Sequence, residues 1–477
     1  MDFNLIAILV FITYALALLC IRKVLLTYRS VQGALAWMVA LIAFPFVSLI
    51  LFALFGRHRF EGYVAARRSG DQELIYISNE IRDSHARYFC APPAQSPELG
   101  VISQLAKMPF SRDNQCDLLI DGEATFGAMF DAIEQAQTYV LLQFYIVRND
   151  RIGNQLHHAL LRKQQQGVQV YFLYDAWGSA SLPDDYIQAL IQSGAKVHPF
   201  NTVKRFFSRF QINFRNHRKL VVIDGKVAFM GGINVGDEYL GRDPELSPWR
   251  DTQLRLAGPA VYPLQLSFVE DWYWATNDVP RLNWLGRADT EHPQSQGAVL
   301  ILPTSAADEP ETCVLAFLAM INHARKRLWI ASPYFVPDLQ FMNALHLAAL
   351  RGVDVRILIP RNADHRWVQY AAYSYLEHAQ QAGIRIYRYH SGFMHQKVWL
   401  IDDRYCVIGT HNLDNRSMRL NFETAAIVTE PALIESAHRM MQLDFSRSIR
   451  LTHKNYQDTP MTFKLLCRAS RLLAPLL

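Results

Sequence analysis

The sequence predicts a membrane-anchored α/β protein built from two similar repeats, and three observations lead to this prediction. The pattern H-x-K-x-x-x-x-D occurs twice, at His217–Asp224 and at His395–Asp402. Each copy is followed at the same spacing by G-[GT]-x-N, which ends at Asn234 and at Asn412. Strand-like and helix-like segments alternate in the same order in both halves, which is typical of sheets covered by helices. Two copies in register indicate an internal repeat.

Composition limits the classes of protein that need to be considered. A chain of 477 residues that is 51% hydrophobic is too long for one core and suggests at least two domains. Only 19% of the residues are charged and the formal net charge is +5, so the chain is neither disordered nor strongly basic. A nucleic-acid binder usually carries a denser basic field.

The six cysteines are scattered, and the sequence has neither C-x-x-C nor the cysteine–histidine spacing of a zinc site. Free thiols and no metal are therefore expected. Cys406 lies close to the second motif, but it sits in the apolar, strand-like segment Arg404–Ile408. A buried core cysteine is the favoured interpretation over a catalytic one.

Two apolar runs open the chain, Leu5–Ile21 and Leu35–Phe55, and both lengths suit the hydrocarbon core of a bilayer. A cleaved signal peptide is disfavoured, because the residues before the first run carry no basic side chain and a second run follows. Residues 1–60 are therefore predicted to form a transmembrane helical hairpin. Basic residues occur both inside the hairpin and after it, so the positive-inside rule leans only slightly towards a cytoplasmic main body.

Residues 61–110 are predicted to be a helical linker, mixed in character and interrupted by Pro92, Pro93 and Pro97. The first repeat is assigned to residues 111–290 and the second to residues 291–450, with the connection at Asn277–Gly297. Periodicity predicts the following elements in the first repeat: strand Cys116–Ile120, helix Thr125–Gln137, strand Tyr139–Val147, helix Gln155–Gln166 and strand Val168–Tyr174. It predicts a matching series in the second: helix Ala316–Arg327, strand Leu328–Ala331, helix Leu339–Arg351 and strand Val353–Ile359.

Residues 451–477 are predicted to be an amphipathic tail, whose helix Phe463–Leu473 could pack on the domain or contact a membrane. A second basic and apolar segment, Val203–Phe210, could dock on anionic headgroups or form an ordinary surface hairpin.

The repeated motif has the chemistry of a phosphate site. In both copies a predicted strand follows the H-x-K triplet, and alternation along a strand places its histidine and lysine on one face. The lysine supplies charge and donors, and the histidine supplies a nucleophilic nitrogen that titrates near neutrality. The amides of Asn234 and Asn412 can stabilise the phosphoryl oxygens. Candidate catalytic residues are His217, Lys219, Asp224, His395, Lys397 and Asp402.

Two such half-sites also provide what phosphodiester transfer through a covalent intermediate requires. One histidine can attack phosphorus while the other protonates the leaving alcohol, and no metal or cofactor is needed.

The duplicated motif resembles the signature of the phospholipase D superfamily, and further motifs resemble bacterial cardiolipin synthases over essentially the whole chain. These motifs are Gln143-Phe-Tyr145, Trp249-Arg-Asp-Thr252, Ser332-Pro-Tyr-Phe-Val-Pro337, Asn412-Leu-Asp-x-Arg-Ser417, Asn421-Phe-Glu423 and the closing Ala-Pro-Leu-Leu477. The resemblance implies two phospholipase D-like α/β sandwich repeats related by a pseudo-twofold axis. It also implies an enzyme of the bacterial inner membrane that joins two phosphatidylglycerol molecules into cardiolipin and glycerol.

The resemblance further implies roles for individual residues. His217 is expected to attack, by analogy with relatives in which the N-terminal copy is the nucleophile. An acid is expected to orient the histidine of its own copy: Asp251 in the first and Glu423 in the second. Asp224 and Asp402 are expected to support the loops rather than to act as acids. Gly232 departs from the family pattern, in which serine or threonine is commoner.

Other functions remain open at this point. A hydrolytic phospholipase D, or a phosphatidyltransferase with another alcohol acceptor, would use the same intermediate. A membrane-tethered nuclease or nucleic-acid binder also occurs on this fold, but the two apolar runs and the modest charge disfavour it. The expected partners are phosphatidylglycerol and anionic membrane lipids, with no nucleic acid, and the sequence leaves the oligomeric state undetermined.

Overall fold

Two β-sheets with the same seven-strand order form the body of the protein. The computed structural model describes residues 3–27, 31–56, 63, 85–200, 213–284, 296–308, 311–452 and 459–474. The segment Val203–Phe210, most of the helical stretch predicted before residue 91 and the last three residues of the closing motif lie outside the described residues.

The strands before residue 260 are β1 (Phe89–Cys90), β2 (Phe110–Ser111), β3 (Gln115–Ile120), β4 (Tyr139–Phe144), β5 (Gln169–Tyr174), β6 (Lys196–Pro199), β7 (Arg215–Asn216), β8 (Leu220–Ile223), β9 (Val227–Gly231), β10 (Trp249–Arg250) and β11 (Thr252–Ala257). The later strands are β12 (Val299–Thr304), β13 (Arg327–Ala331), β14 (Phe335–Val336), β15 (Asp354–Pro360), β16 (Arg385–Tyr389), β17 (Phe393–Met394), β18 (Val398–Ile401), β19 (Tyr405–Gly409), β20 (Leu413–Asp414), β21 (Asn421–Val428) and β22 (Ser448–Arg450).

Three helices precede the sheets: α1 (Phe3–Thr27), α2 (Val31–Ala43) and α3 (Pro45–Phe55). The remaining helices are Pro97–Ala106, Asp121–Glu134, Arg151–Gln165, Asp184–Gln192, Val261–Thr276, Thr312–His323, Leu339–Leu350, Arg366–Gln381, Asn415–Arg419, Pro431–Ser446 and Met461–Arg471.

The two sheets repeat one topology. The first has the order β3-β11-β9-β8-β4-β5-β6, and the second contains the matching series β12-β21-β19-β18-β13-β15-β16. In both, the last three strands run parallel to one another and the other neighbours are antiparallel. The mixed α/β fold with two repeats that the sequence predicted is confirmed.

The motif strands lie in the centre of each sheet. Every residue of β8 and of β18 is buried, as expected for strands covered on both faces. One shared core joins the inner faces of the two sheets, with Met230 and Leu254 from the first sheet and Ile408 and Ala426 from the second. The sheets therefore pack against each other, and the two motifs meet at the interface between the repeats.

The segment before the first repeat joins the sheet of the second. Strand β2 pairs with β12, and the helix Pro97–Ala106 buries Leu99 and Ile102 in the core of the second repeat. Pro97, expected to interrupt a helix, instead stands in the first turn of one, where its missing N–H costs no hydrogen bond.

The second apolar run is not one helix. Among the described residues, only α1 is long and apolar enough to cross a membrane. The second run divides at Phe44, whose φ of −135° and ψ of 58° are not helical, into α2 and α3. Pro45 follows Phe44 and cannot donate a backbone hydrogen bond. The three helices pack on one another around Ala17, Leu41 and Phe52, so the predicted hairpin of two full spans is confirmed only in part.

The C-terminal helix Met461–Arg471 packs on the helix Arg366–Gln381. Phe463 contacts the rings of Tyr370 and Tyr373, and Cys467 is fully buried. One face of this helix is thus used for packing on the domain. Cys406 is fully buried within β19, which confirms its assignment to the core.

Candidate active site

Two short strand pairings cross the interface between the repeats and set the geometry of the site. Strand β10 of the first repeat pairs in parallel with β17 of the second, with Arg250 opposite Met394. Strand β7 of the first repeat pairs in parallel with β21 of the second, with Asn216 opposite Phe422. In each pairing the strand that leads into H-x-K therefore lies beside the strand that leads into the acid of the other repeat.

The histidine–carboxylate pairs consequently cross between the repeats. Nδ1 of His217 lies 2.9 Å from Oε2 of Glu423, and Nδ1 of His395 lies 2.8 Å from Oδ2 of Asp251. The expectation that each acid orients the histidine of its own copy is wrong. Because the paired strands run in the same direction, Asp251, which follows Arg250, lies opposite His395, which follows Met394.

Each crossed pair fixes how its imidazole can react. An ionised carboxylate only accepts, so Nδ1 donates and Nε2 holds the lone pair. Burial lowers the pKa of His217 to about 4, against the opposing influence of Glu423. Burial and the charge of Lys397 lower the pKa of His395. Burial alone would raise the pKa of Glu423, but the charges of His217, His411 and Lys219 and the hydrogen bond to His217 lower it to about 2. Both imidazoles are therefore neutral near pH 7, as a nucleophile must be.

The two motif lysines lie beside the histidines. Nζ of Lys219 donates to the carbonyl oxygen of His217 at 2.7 Å and lies 5.4 Å from the centre of the Tyr145 ring. Nζ of Lys397 lies 2.9 and 3.1 Å from the two ring nitrogens of His395. Burial lowers the pKa of Lys219 well below its usual value and that of Lys397 to about 8. Lys397 also contributes to lowering the pKa of His217, so the two half-sites act on each other electrostatically.

The pKa of Lys397 predicts an alkaline limit to activity. Because this ammonium must be charged to hold a phosphate, we expect kcat/KM to fall as pH rises through about 8. Lys397→Arg should keep its charge at alkaline pH and move the limit upwards, whatever it does to the maximum rate. The measurement is kcat/KM between pH 6 and pH 10 at low substrate concentration; the same falling limb in Lys397→Arg would show that another group sets it.

The two asparagines stand at equivalent places in the half-sites. Oδ1 of Asn234 accepts from the backbone N–H of Ile146 at 3.1 Å, and Nδ2 donates to the hydroxyl of Tyr239 at 2.7 Å. The side chain of Asn412 hydrogen bonds to Asp414. A side-chain amide has two N–H donors, so each asparagine can hold its neighbour and also donate to a phosphoryl oxygen.

Gly232 is explained by its contact with Asp251. A Cβ atom at this position would lie 2.0 Å from Oδ1 and 2.8 Å from Oδ2 of that carboxylate, which is fully buried. In the second half-site the larger Thr410 is accommodated, and its hydroxyl accepts from the backbone N–H of Thr424 at 2.9 Å. The departure from the family pattern therefore makes room for the carboxylate that holds His395.

We predict that Gly232→Ala displaces the Asp251 carboxylate from His395 and lowers the rate of the reaction by roughly 10²- to 10⁴-fold, the range typical of an acid–base group. The measurement is kcat of the purified variant, with its melting temperature as a check on folding. Gly127→Ala is the matched control, because a Cβ there meets nothing within 4 Å. A Gly232→Ala enzyme with normal kcat would contradict the role given to this contact.

The motif aspartates lie away from the reacting groups. Asp224 accepts from the backbone N–H groups of Gln137, Thr138 and Tyr139 at 2.8–2.9 Å. Asp402 accepts likewise from Lys326 and Arg327 at 2.7 and 2.9 Å. Both cap the loop that leads into a neighbouring strand, at the opposite end of β8 or β18 from the histidine. These contacts agree with the expected role of both aspartates in supporting the loops, and their place among the candidate catalytic residues stays a prediction.

Two buried arginines that sequence reasoning missed join the repeats. Arg218 donates to Asp271 at 2.7 Å and also to backbone carbonyl oxygens of Glu423 and Thr304, both in the second repeat. Arg250 donates to Asp444 of the second repeat at 3.0 Å. In the sequence, these contacts are indicated only by the middle arginine of His217-Arg-Lys219 and of Trp249-Arg-Asp251.

Asp271 is also the centre of a buried network behind the first motif. It accepts from Nε2 of Gln143 at 2.6 Å, Nδ2 of Asn216 at 2.8 Å and the hydroxyl of Tyr63 at 2.9 Å. A buried ion pair is retained only when such additional bonds satisfy it. The network holds the strand from which His217 projects.

Similarity to known proteins covers most of the chain. A family model described as "Cardiolipin synthase, PLD-like domain" matches residues 129–253 and 317–445, and one described as "Phospholipase_D-nuclease N-terminal" matches residues 15–57. Cardiolipin synthase A of Pseudomonas entomophila (strain L48) is 44% identical over 472 residues, which cover 98% of each chain. Cardiolipin synthase A of Pseudomonas aeruginosa (strain PAO1) is 44% identical over 455 residues, which cover 95% of this chain and 92% of that relative.

Among solved structures, phosphatidylserine synthase from Haemophilus influenzae Rd KW20 is similar in fold. It superposes with a TM-score of 0.61 at 16% sequence identity, and the match covers 80% of this chain and all of the other. At this identity the likeness concerns the fold alone.

Proposed function

Because the chain belongs to the family of phospholipase D-like cardiolipin synthases, we propose that it is a phosphatidyltransferase that condenses two phosphatidylglycerol molecules into cardiolipin and glycerol. The observation that carries this proposal is the crossed pair of histidine–carboxylate contacts, Glu423 on His217 and Asp251 on His395. They present two equivalent imidazoles, one from each repeat, to a single site.

In the first step, Nε2 of one histidine attacks the phosphorus of a phosphatidylglycerol. A P–N bond forms, the P–O bond to the headgroup glycerol breaks, and the other histidine gives its proton to the departing oxygen. Binding of the anionic phosphate raises the pKa of the second histidine, so it can carry that proton. Lys219 and Lys397 balance the charge of the phosphoryl oxygens, and Asn234 and Asn412 add donors.

In the second step, the histidine that lost its proton takes one from the terminal hydroxyl of a second phosphatidylglycerol. The resulting oxygen attacks phosphorus, the P–N bond breaks, and cardiolipin is released. The resemblance implies that His217 is the nucleophile. The site is symmetric in its catalytic groups, because each repeat supplies a histidine, a lysine and an asparagine.

The test follows labelled phosphatidylglycerol with the purified protein in detergent and without added metal. Cardiolipin and free glycerol should appear in equal amounts. Phosphatidic acid as the sole lipid product would identify a hydrolase, and incorporation of another added alcohol in place of phosphatidylglycerol would identify a different transferase. Absence of lipid turnover together with cleavage of single-stranded DNA would favour the nuclease.

The protein is a membrane protein, and we propose that it crosses the bilayer once. Helix α1 has 25 residues and is about 37 Å long, enough for a hydrocarbon core of about 30 Å. Helices α2 and α3 have 13 and 11 residues and are only about 20 and 16 Å long. Neither can span the core alone.

Two contacts support a sharp bend between α2 and α3. The rings of Trp37 and Phe52 are 5.1 Å apart, although a continuous helix would separate these positions by about 22 Å. Oγ of Ser48 donates to the carbonyl oxygen of Ala40 at 2.8 Å across a helical rise of about 12 Å. We propose that α2 and α3 enter the bilayer and return to the same face.

This arrangement gives the basic residues one consistent side. With one span and one re-entrant pair, the C-terminal end of α1, which carries Arg22 and Lys23, lies on the same face as the C-terminal end of α3. The first four residues contain no basic side chain. The positive-inside rule then places the repeats in the cytoplasm and the N-terminus outside.

Reporter fusions test this topology. A reporter at the N-terminus should report the periplasmic face and the same reporter at the C-terminus the cytoplasmic face. Both reporters on one face would mean two full spans and would overturn the proposal. The same reporters can be placed on Ser48→Ala, which removes the hydrogen bond from Oγ of Ser48 to the carbonyl oxygen of Ala40 across the bend.

A further inference from the structure

We propose that two exposed tryptophans, Trp177 of the first repeat and Trp367 of the second, hold the mouth of the active site against the surface of an anionic bilayer. This inference rests on the proposed function, because substrates that stay in a bilayer must be taken up at its surface. A transmembrane anchor keeps the repeats near the membrane, whereas uptake of a lipid also requires the site to face it.

The two exposed tryptophans come from equivalent places in the repeats. All nine tryptophans lie in the described part of the chain; Trp177 is 55% and Trp367 is 56% exposed, whereas the others are buried or half-buried. Trp177 follows β5 and Trp367 follows β15, which occupy the same place in the strand orders of the two sheets. An exposed indole is costly in water but favourable at a membrane interface, where its ring contacts lipid and its N–H contacts water.

Both tryptophans follow strands that end at the edge of the sheets where the motif strands begin. Strands β4 and β5 are parallel and end together, and Gln143 of β4 lies opposite Leu220, which follows the first motif lysine. Strands β13 and β15 are also parallel, and Ala331 of β13 lies opposite Val398, which follows the second motif lysine. The segments after β5 and β15 therefore flank the two motifs, one from each repeat.

The turn that carries Trp177 is tied to the strand of the first motif. Asp175 accepts from the backbone N–H of Trp177 and from that of Asn216, each at 2.9 Å. Asn216 immediately precedes His217. The guanidinium of Arg215 lies 4.8 Å from the centre of the Trp177 ring. The ring is thus held beside the first half-site, with a cation over its face.

The segment that carries Trp367 reaches the second half-site. Asp364, three residues earlier, accepts from the hydroxyl of Tyr334 through both carboxylate oxygens, at 2.8 and 2.9 Å. Burial lowers the pKa of His395 and of Lys397, and the charge of Asp364 counteracts this effect in both. Such an influence requires proximity, so Trp367 stands beside the second half-site as Trp177 stands beside the first.

Basic side chains surround Trp367. Arg366 precedes it, and Arg361 and Arg388 line a groove of about 360 Å³ next to the first turn of its helix. Arg388 donates to the carbonyl oxygen of Arg361 and lies 5.5 Å from the centre of the Tyr373 ring. An exposed indole beside several cations matches the interface of a membrane that contains anionic lipids. Phosphatidylglycerol is such a lipid.

Fluorescence in bilayers tests the docking directly. The full-length protein is placed in phosphatidylglycerol vesicles whose acyl chains carry bromine, which quenches only the indoles that contact lipid. We expect the quenched fraction of the tryptophan fluorescence to be lower in Trp177→Phe and in Trp367→Phe than in the wild type, because each change removes a quenched ring. A ring that stays in water contributes unquenched light, so a quenched fraction that rises or stays equal in the variants would overturn the proposal.

The rate of cardiolipin formation in vesicles without bromine is the second measurement. The double variant Trp177→Ala with Trp367→Ala should react roughly 10-fold more slowly than the wild type, because it loses apolar area from the interface. Leu350→Ala is the matched control and should keep the wild-type rate. Leu350 is 74% exposed, but it ends the helix that leads back to the start of β15, at the opposite edge of the second sheet. A double variant with the wild-type rate would contradict the docking.

Two further outcomes separate the docking from other functions. Quenching of the two rings by single-stranded DNA but not by brominated lipid would make this surface a nucleic-acid site and overturn the proposal. Quenching of both rings by lipid, in vesicles where the wild-type enzyme makes no cardiolipin, would support the docking and refute the proposed function.

Discussion

Replacement of either motif histidine by alanine should abolish cardiolipin formation, lowering kcat by at least roughly 10⁴-fold, because attack and proton transfer both depend on the pair. With a donor that carries a good leaving group, such as a phosphatidyl ester of p-nitrophenol, His217→Ala and His395→Ala should behave differently. A p-nitrophenolate leaving group needs no proton, so the variant that lacks only the acid–base histidine should still release it in a single burst. The variant that lacks the nucleophile should release none.

This experiment also assigns the nucleophile. Loss of the burst in His217→Ala would match the order that the resemblance implies. Loss in His395→Ala would make His217 the acid–base group, which protonates the leaving glycerol and then activates the acceptor hydroxyl. If both variants retain the burst or both lose it, the division of roles between the two histidines is wrong.

Glu423→Gln should reproduce the defect of His217→Ala, and Asp251→Asn that of His395→Ala, with losses of roughly 10²- to 10⁴-fold in kcat. An amide in place of the carboxylate can donate to Nδ1 and so favours the wrong tautomer. The assay with p-nitrophenol distinguishes the two histidines, so it also shows which of them each acid serves. Crossed pairing at 2.9 and 2.8 Å predicts that the acid of one repeat matches the histidine of the other.

Asp117→Asn is the control for these variants, because it removes a carboxylate that pairs with Arg255 away from the site. Melting temperatures separate a loss of orientation from a loss of folding. If Glu423→Gln instead matched His395→Ala, each acid would serve its own repeat and the pairing of β7 with β21 would not describe the working enzyme.

The sequence by itself determined the repeated architecture and the inventory of the site. The spacing between H-x-K and the following asparagine is a pattern within one stretch of the chain. The apolar runs that form β8 and β18 are local patterns as well. Continuous apolar runs of four to six residues indicate buried strands because every side chain in them must avoid water. The histidines, lysines and asparagines follow from the chemistry that a phosphate requires, which depends on residue type and on spacing along one strand.

Only the tertiary structure decided how the halves are joined. Which acid meets which histidine depends on the pairing of β7 with β21 and of β10 with β17, whose partners are far apart in the sequence. The need for Gly232 could not be read locally either, because the atom that excludes a side chain there belongs to Asp251 on another strand. The same applies to Arg218 and Asp271, whose charges are tolerated only because distant groups surround them. A pattern along the chain records the environment of one strand, whereas the contacts that complete this site form between strands, and their register is set only when the two repeats pack together.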